Sequence, residues 1–235
     1  MRSYANLQIL KKSEEPISRE SLLAALCTAV EPQGWILCDK EQAARTLAAA
    51  PTPRGWVVFD DQADRADLSA MHELGKGVTR LLHLSAIGIL GCRESEERMF
   101  CLYENGRLRD AYQTGPHTFS RCGLPFWLDS CGRAVRWRRE LAPGVQVTEL
   151  ADLFVRIRQG EQKTDVLLEA LALDSTAAYG FASLEDACLS GVISLYFRLS
   201  TGVQQPHSGR TPAASGRRVP PVGACFRRRR SGRSG

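Results

Sequence analysis

Three side chains in the stretch after residue 115 are of the types a nucleophilic hydrolase combines. Cys122 offers a thiol, His117 an imidazole to take its proton, and Asp129 a carboxylate to orient the ring. The same stretch, HTFSRCGLPFWLDSCG, also has the proline, glycine and aromatic content of a packed connecting loop. A hydrolase built on the His117 loop is therefore the weakest of three functional readings. No GxSxG, HExxH, GxGxxG or phosphate-binding glycine loop accompanies it. ELGKGVT (73–79) has no strand before it and reads as the middle of a helix. Asp60, Asp61, Asp64 and Asp67 could hold a hard divalent cation. They stand where a strand hands over to a helix, a place where acids cap the helix and complement its dipole.

The eight cysteines (27, 38, 92, 101, 122, 131, 188 and 225) include no CxxC pair. They read as reduced thiols packed as small hydrophobes rather than as zinc ligands. No metal and no cofactor is expected. Aromatics offer the better candidates for binding. Trp35 and Trp56 each follow a glycine and each begin a strand, so together they could line one rim of a sheet. Phe126 and Trp127 lie in the loop, where exposure would make a partner site. With His117 they form the set of candidate binding residues. The leading reading is a non-catalytic interaction or accessory module with a protein partner, working through the hairpin 98–114 and the loop 116–131.

Charge supplies the second reading. All 26 acidic residues lie at or before Asp186, and residues 1–186 hold 22 Lys and Arg. The remaining 49 residues carry nine arginines and no acid, so the formal +5 of the whole chain is a property of its end. From Ser200 on, 23 of 36 residues are Arg, Gly, Ser or Pro, a composition with no apolar periodicity to offset ordering entropy. Residues 191–235 are expected to be a disordered tail. An arm binding nucleic acid through Arg217, Arg218, Arg227, Arg228, Arg229 and Arg230 would explain it. So would a solubilising tail. So would a frame slip in a GC-rich gene, since the chain uses 26 Arg against 5 Lys.

The elements that must position these residues are legible in the first 115 positions. YANLQIL (4–10) reads as a strand, and SRESLLAALCTAV as a helix with Leu22, Leu23, Leu26 and Val30 on one face. GWILCD (34–39) and GWVVFDD (55–61) read as buried strands, and EQAARTLAAA (41–50) between them as a helix by propensity. Leu68, Met71, Leu74, Val78 and Leu81 recur at helical steps, with Gly75 and Gly77 weakening the middle. AIGILGC (86–92) is a strand. RMFCLYENGRLRDAYQTG is a hairpin about an Asn105-Gly106 turn. The order β-α-β-α-β-α-β-β-β predicts an α+β fold with a mixed sheet, spanning residues 1–115. Residues 116–190 follow as a loop and a helical extension, with helices from Thr148 and Thr164.

YANL, VVFDD and FCLYENGRLRDAY resemble a group of uncharacterised bacterial proteins. These share an early ANL strand, a VVYDE-like strand and an L-Y-x-N-G-x-x-x-D-x-Y hairpin in this order. The resemblance implies this fold order over most of residues 4–186; the family has no assigned activity. The longest apolar stretch, Leu81–Cys92, is too short to span a bilayer, and the first fifteen residues hold no apolar signal segment, so a cytoplasmic protein is expected.

Overall fold

The computed structural model describes residues 3–12, 16–64, 68–92, 97–115, 132–173, 175–184 and 189–200. These fall within one unit, Met1–Val203. The strands are β1 (Ser3–Leu10), β2 (Trp35–Leu37), β3 (Arg45–Thr52), β4 (Gly55–Asp60), β5 (Ser85–Cys92), β6 (Arg98–Glu104), β7 (Arg107–Gln113) and β8 (Ile193–Leu199). The α-helices are α1 (Arg19–Val30), α2 (Asp61–Asp64), α3 (Leu68–Leu82), α4 (Val147–Arg158) and α5 (Asp165–Ala170). A longer 3-10 helix spans Ala134–Glu140.

The α+β class holds, with the eight strands of the described residues in one sheet of order β2-β8-β3-β4-β1-β5-β6-β7. Its ladders are all antiparallel, not mixed. Helices do join strands of like direction, β1 through α1 to β2 and β4 through α3 to β5. The sheet order then puts other strands between them: β1 itself lies between β4 and β5. Like-directed strands are therefore never neighbours, and helical crossovers do not produce parallel pairs.

Two further expectations are corrected. Arg45–Thr52, expected as helix, is a central strand. Its alanines are buried on both faces of the sheet, where their small size lets flanking layers approach, and this tertiary packing overrides helix propensity. Ile193–Leu199, placed in the tail beyond 190, is strand β8. It pairs with both β2 and β3 and buries Phe197 in the core. GWILCD yields only the short edge strand β2, whose Ile36 and Leu37 are exposed.

The hairpin turn forms as expected. Asn105 (φ 50°) and Gly106 (φ 77°) both take the left-handed backbone that a two-residue turn of this kind requires.

One face of the sheet packs on α1 and α3 through Leu22, Leu26, Val30, Met71, Leu74 and Val78. The opposite face carries two apolar clusters. Over β5–β7, Phe100, Leu102 and Tyr112 meet Trp137, Leu150 and Phe154. Over β3 and β4, Ala48, Ala50, Val57 and Phe59 meet Tyr179, Phe181 and Leu184. Between them β1 presents a buried polar seam. Asn6 Nδ2 donates to Tyr179 O (2.8 Å), and Gln8 Nε2 donates to Asn6 Oδ1 (2.9 Å) and Thr176 Oγ1 (3.3 Å).

Candidate functional site

The hairpin turn docks on the end of α3, where the Gly106 N–H donates to Thr79 Oγ1 (3.1 Å), and β7 runs from it along the edge of the sheet. Arg107 and Arg109 are exposed there. β6 and β7 lose register between Leu102 and Tyr103, which leaves Arg109 as an extra residue in the ladder, a bulge that re-aims its side chain. The chain returns at Gly132 to lay the 3-10 helix along the same edge, and Asp110 holds it in place. Its buried carboxylate accepts the Arg133 backbone N–H (2.6 Å) and the indole N–H of Trp137 (2.6 Å), with Arg136 Nη1 3.5 Å from the second oxygen. Burial pushes the Asp110 carboxyl up from its ordinary range, and these donors oppose that. Trp137 is fully buried, so one side of the 3-10 helix is fixed.

The other side faces outward, with Arg133, Arg136, Arg138 and Arg139 exposed beside Val135. Glu104 gathers two of the guanidiniums, Arg109 at 3.3 Å and Arg139 at 3.2 Å. Arg136 donates to Arg109 O at 2.7 Å. Across residues 104–115 and 132–140 there are thus six exposed arginines and three carboxylates, and Asp110 and Glu140 are buried. This is an arginine-rich edge on a body whose sequence is otherwise richer in acid. Reading charge by segment missed it, because Arg107 and Arg109 stand some thirty positions from Arg136, Arg138 and Arg139. The available signal was RAVRWRRE itself, a cationic run around one tryptophan.

Of the residues singled out from sequence, Trp35 and Trp56 fall elsewhere. Trp56 is buried on the α1/α3 face, and its indole N–H donates to Ile17 O (3.0 Å). Trp35, half-buried on β2, lies over the Arg45 guanidinium at 5.5 Å. β8 and β3 separate the two strands, so the indoles do not form one rim. His117, Phe126, Trp127, Cys122 and Asp129 lie outside the described residues, as do Arg217, Arg218 and Arg227 to Arg230.

In the acid group after β4, Asp60 forms a bidentate pair with Arg45 (2.6 and 3.2 Å) and accepts the Gln62 N–H (3.0 Å). Both charged side chains are almost wholly buried, and Gln33 Oε1 accepts from Arg45 as well (3.1 Å). Burial raises the Asp60 carboxyl, and the guanidinium counters it. Among the described residues no group of three His, Cys, Asp or Glu could hold a metal ion. Cys27 and Cys38 are free thiols, and Cys101 is buried in the core beside Tyr103. No described helix is long and apolar enough to cross a membrane.

The residues that carry the family resemblance are committed internally. Asn6 bonds the Tyr179 carbonyl, Asp60 pairs with Arg45, and Asp110 anchors the 3-10 helix. Tyr112 stacks on Phe154 (4.0 Å) and donates to its carbonyl (2.9 Å). In this chain these motif residues hold the folded frame together. No family model, curated protein or solved structure matches the chain.

Proposed function

We propose that this protein is a non-catalytic interaction module whose contact surface is the arginine-rich edge formed by the β6–β7 turn and the 3-10 helix. The observation that carries the reading is the exposure of six arginines on a scaffold fixed from beneath by Asp110 and Trp137. Guanidiniums held on a rigid element lose little entropy when they meet an anionic partner, and their planar forks suit bidentate contacts. The surface includes the tip of the hairpin expected from sequence; the body of that hairpin is buried.

The test is retention of the full chain on an immobilised polyanion. The triple charge reversal Arg107→Glu, Arg133→Glu, Arg138→Glu is expected to elute at clearly lower salt with an unchanged thermal midpoint. Unchanged elution overturns the reading.

The tail supports a second reading, since eight arginines and no acid follow Ser200. Nucleic-acid binding through Arg217, Arg218 and Arg227 to Arg230 would then be independent of the folded edge. The hydrolase reading rests on His117, Cys122 and Asp129 and gains no support from the described residues.

A further inference from the structure

The composition of the edge narrows the kind of anion it suits. A protein partner would need apolar or aromatic anchors at the centre of the contact, which carry most of the energy in protein interfaces. Here Val135 is the one large hydrophobic exposed among the described residues of the edge, and the indole of Trp137 is fully buried beneath it. Single-stranded nucleic acid would need aromatic faces on which to stack bases. None is exposed among the described residues of β7 and the 3-10 helix: Tyr112 and Trp137 are both buried. The described residues of the edge present an outward array of guanidiniums without lysine, Arg107 and Arg109 from β7, Arg133 at the start of the 3-10 helix, and Arg136, Arg138 and Arg139 from within it.

Two internal acids space this array. Glu104 lies between Arg109 and Arg139, and Asp110 between Arg136 and the Arg133 backbone. Arginines spread over two adjoining elements match a repeating surface of phosphates.

We propose that this edge binds the phosphate backbone of duplex nucleic acid without reading sequence. The proposal rests on the interaction-module reading above and names its partner. Backbone contacts of this kind release condensed counterions, so affinity falls with salt by a power close to the number of phosphates met. With about four or five contacts, affinity should drop by about 150- to 500-fold between about 50 and 200 mM salt.

The experiment uses the full chain, titrated into a labelled random-sequence duplex, the corresponding single strand, poly-glutamate, and vesicles of phosphatidylcholine and phosphatidylserine. Three forms are compared: wild type, the edge variant Arg107→Gln/Arg133→Gln/Arg138→Gln, and the tail variant with Arg227, Arg228, Arg229 and Arg230 changed to Gln. The three edge side chains are exposed, and matched thermal midpoints show that the fold is intact.

The expected result is duplex binding that weakens at least tenfold in the edge variant, with the salt slope falling by about two to three units. Duplex binding untouched in the edge variant and lost in the tail variant overturns the proposal. So does a tenfold preference for the single strand, or for the vesicles. Edge-dependent binding of poly-glutamate without duplex binding overturns the nucleic-acid partner and leaves the interaction module standing. Binding to none of the four overturns both.

Discussion

Gly75 and Gly77 stand in the middle of α3, where each costs about 1 kcal/mol against alanine in an isolated helix. The structure supplies the compensation. A Cβ on Gly75 would lie 2.8 Å from the ring of Tyr103, and one on Gly77 would lie 2.7 Å from the Cβ of Ala29. The first glycine makes room for a buried tyrosine, and the second lets α1 and α3 touch. Gly77→Ala should therefore destabilise the protein by about 1–3 kcal/mol despite its better propensity, because the overpacking outweighs the helix gain. Adding Ala29→Gly should return a large part of that loss. A denaturant-based double-mutant cycle reads the coupling, and additive effects would show that the two positions do not press on each other.

His72, one turn before Lys76, gives a pH-dependent counterpart. Its Nδ1 lies 3.4 Å from the Tyr103 hydroxyl, and the two rings meet edge to face. Burial, then the nearby Lys76 charge, holds its pKa below the ordinary histidine value, with Glu73 opposing. A lowered folded-state pKa means that the unfolded chain takes up the proton first. The stability this confers is present above the ordinary value and is lost as pH falls through the folded one. His72→Gln should flatten the fall in stability between about pH 7 and 5. Asp110 and Glu140, raised by burial, act in the opposite sense at lower pH and are common to both proteins, so the difference between the two curves isolates His72.

The strands and helices show what determined whether a segment could be read in advance. α1, α3, β1, β4, β5 and the hairpin each carry a pattern that agrees with their packing, and sequence identifies all of them. β3 fails that test because its alanines favour helix locally, while its position at the centre of the sheet, flanked by β4 and β8, dictates strand. β8 is lost for another reason. ISLYFRL is rich in strand formers, but it lies beyond the last acid, and the charge boundary at Asp186 masked the hydrophobic one at Leu199.

Its place in the sheet makes a sharp prediction. A chain ending at residue 190 leaves β2 and β3 without their shared neighbour and removes Phe197 from the core, and should fail to show a cooperative transition. A chain ending at residue 203 should unfold cooperatively with the midpoint of the full protein. The Arg45–Asp60 pair bridges β3 and β4 in the same region. Arg45→Met should cost about 3–5 kcal/mol by stranding a buried carboxylate, and Arg45→Met/Asp60→Leu should recover much of it. Equal losses in the single and double variants would show that Asp60 is not stranded.

Across the whole chain, net charge and charge distribution point in different directions. Formal +5 describes the sum, yet the eight arginines after Ser200 account for all of the excess, and without them the chain would stand at −3. From segment totals alone, the first 200 residues should avoid polyanions. The fold alters that conclusion by bringing six exposed arginines onto one edge and burying two of the three carboxylates nearby. Local fields at a surface are set by what lies within about a Debye length, roughly 8–10 Å at moderate salt, so a net-acidic domain can still present a cationic face.

Through its pairing with β2 and β3, β8 extends the folded body to Leu199, beyond the last acidic residue. A chain of residues 1–200 is then the decisive object. It should focus at acidic pH, as its composition requires, and still be retained on heparin at low salt through the edge. Arg107→Glu/Arg133→Glu/Arg138→Glu in that chain should abolish the retention. If the shortened chain flows through heparin unretained while the full chain binds, the tail alone carries the polyanion affinity, and the folded edge is a solvated surface.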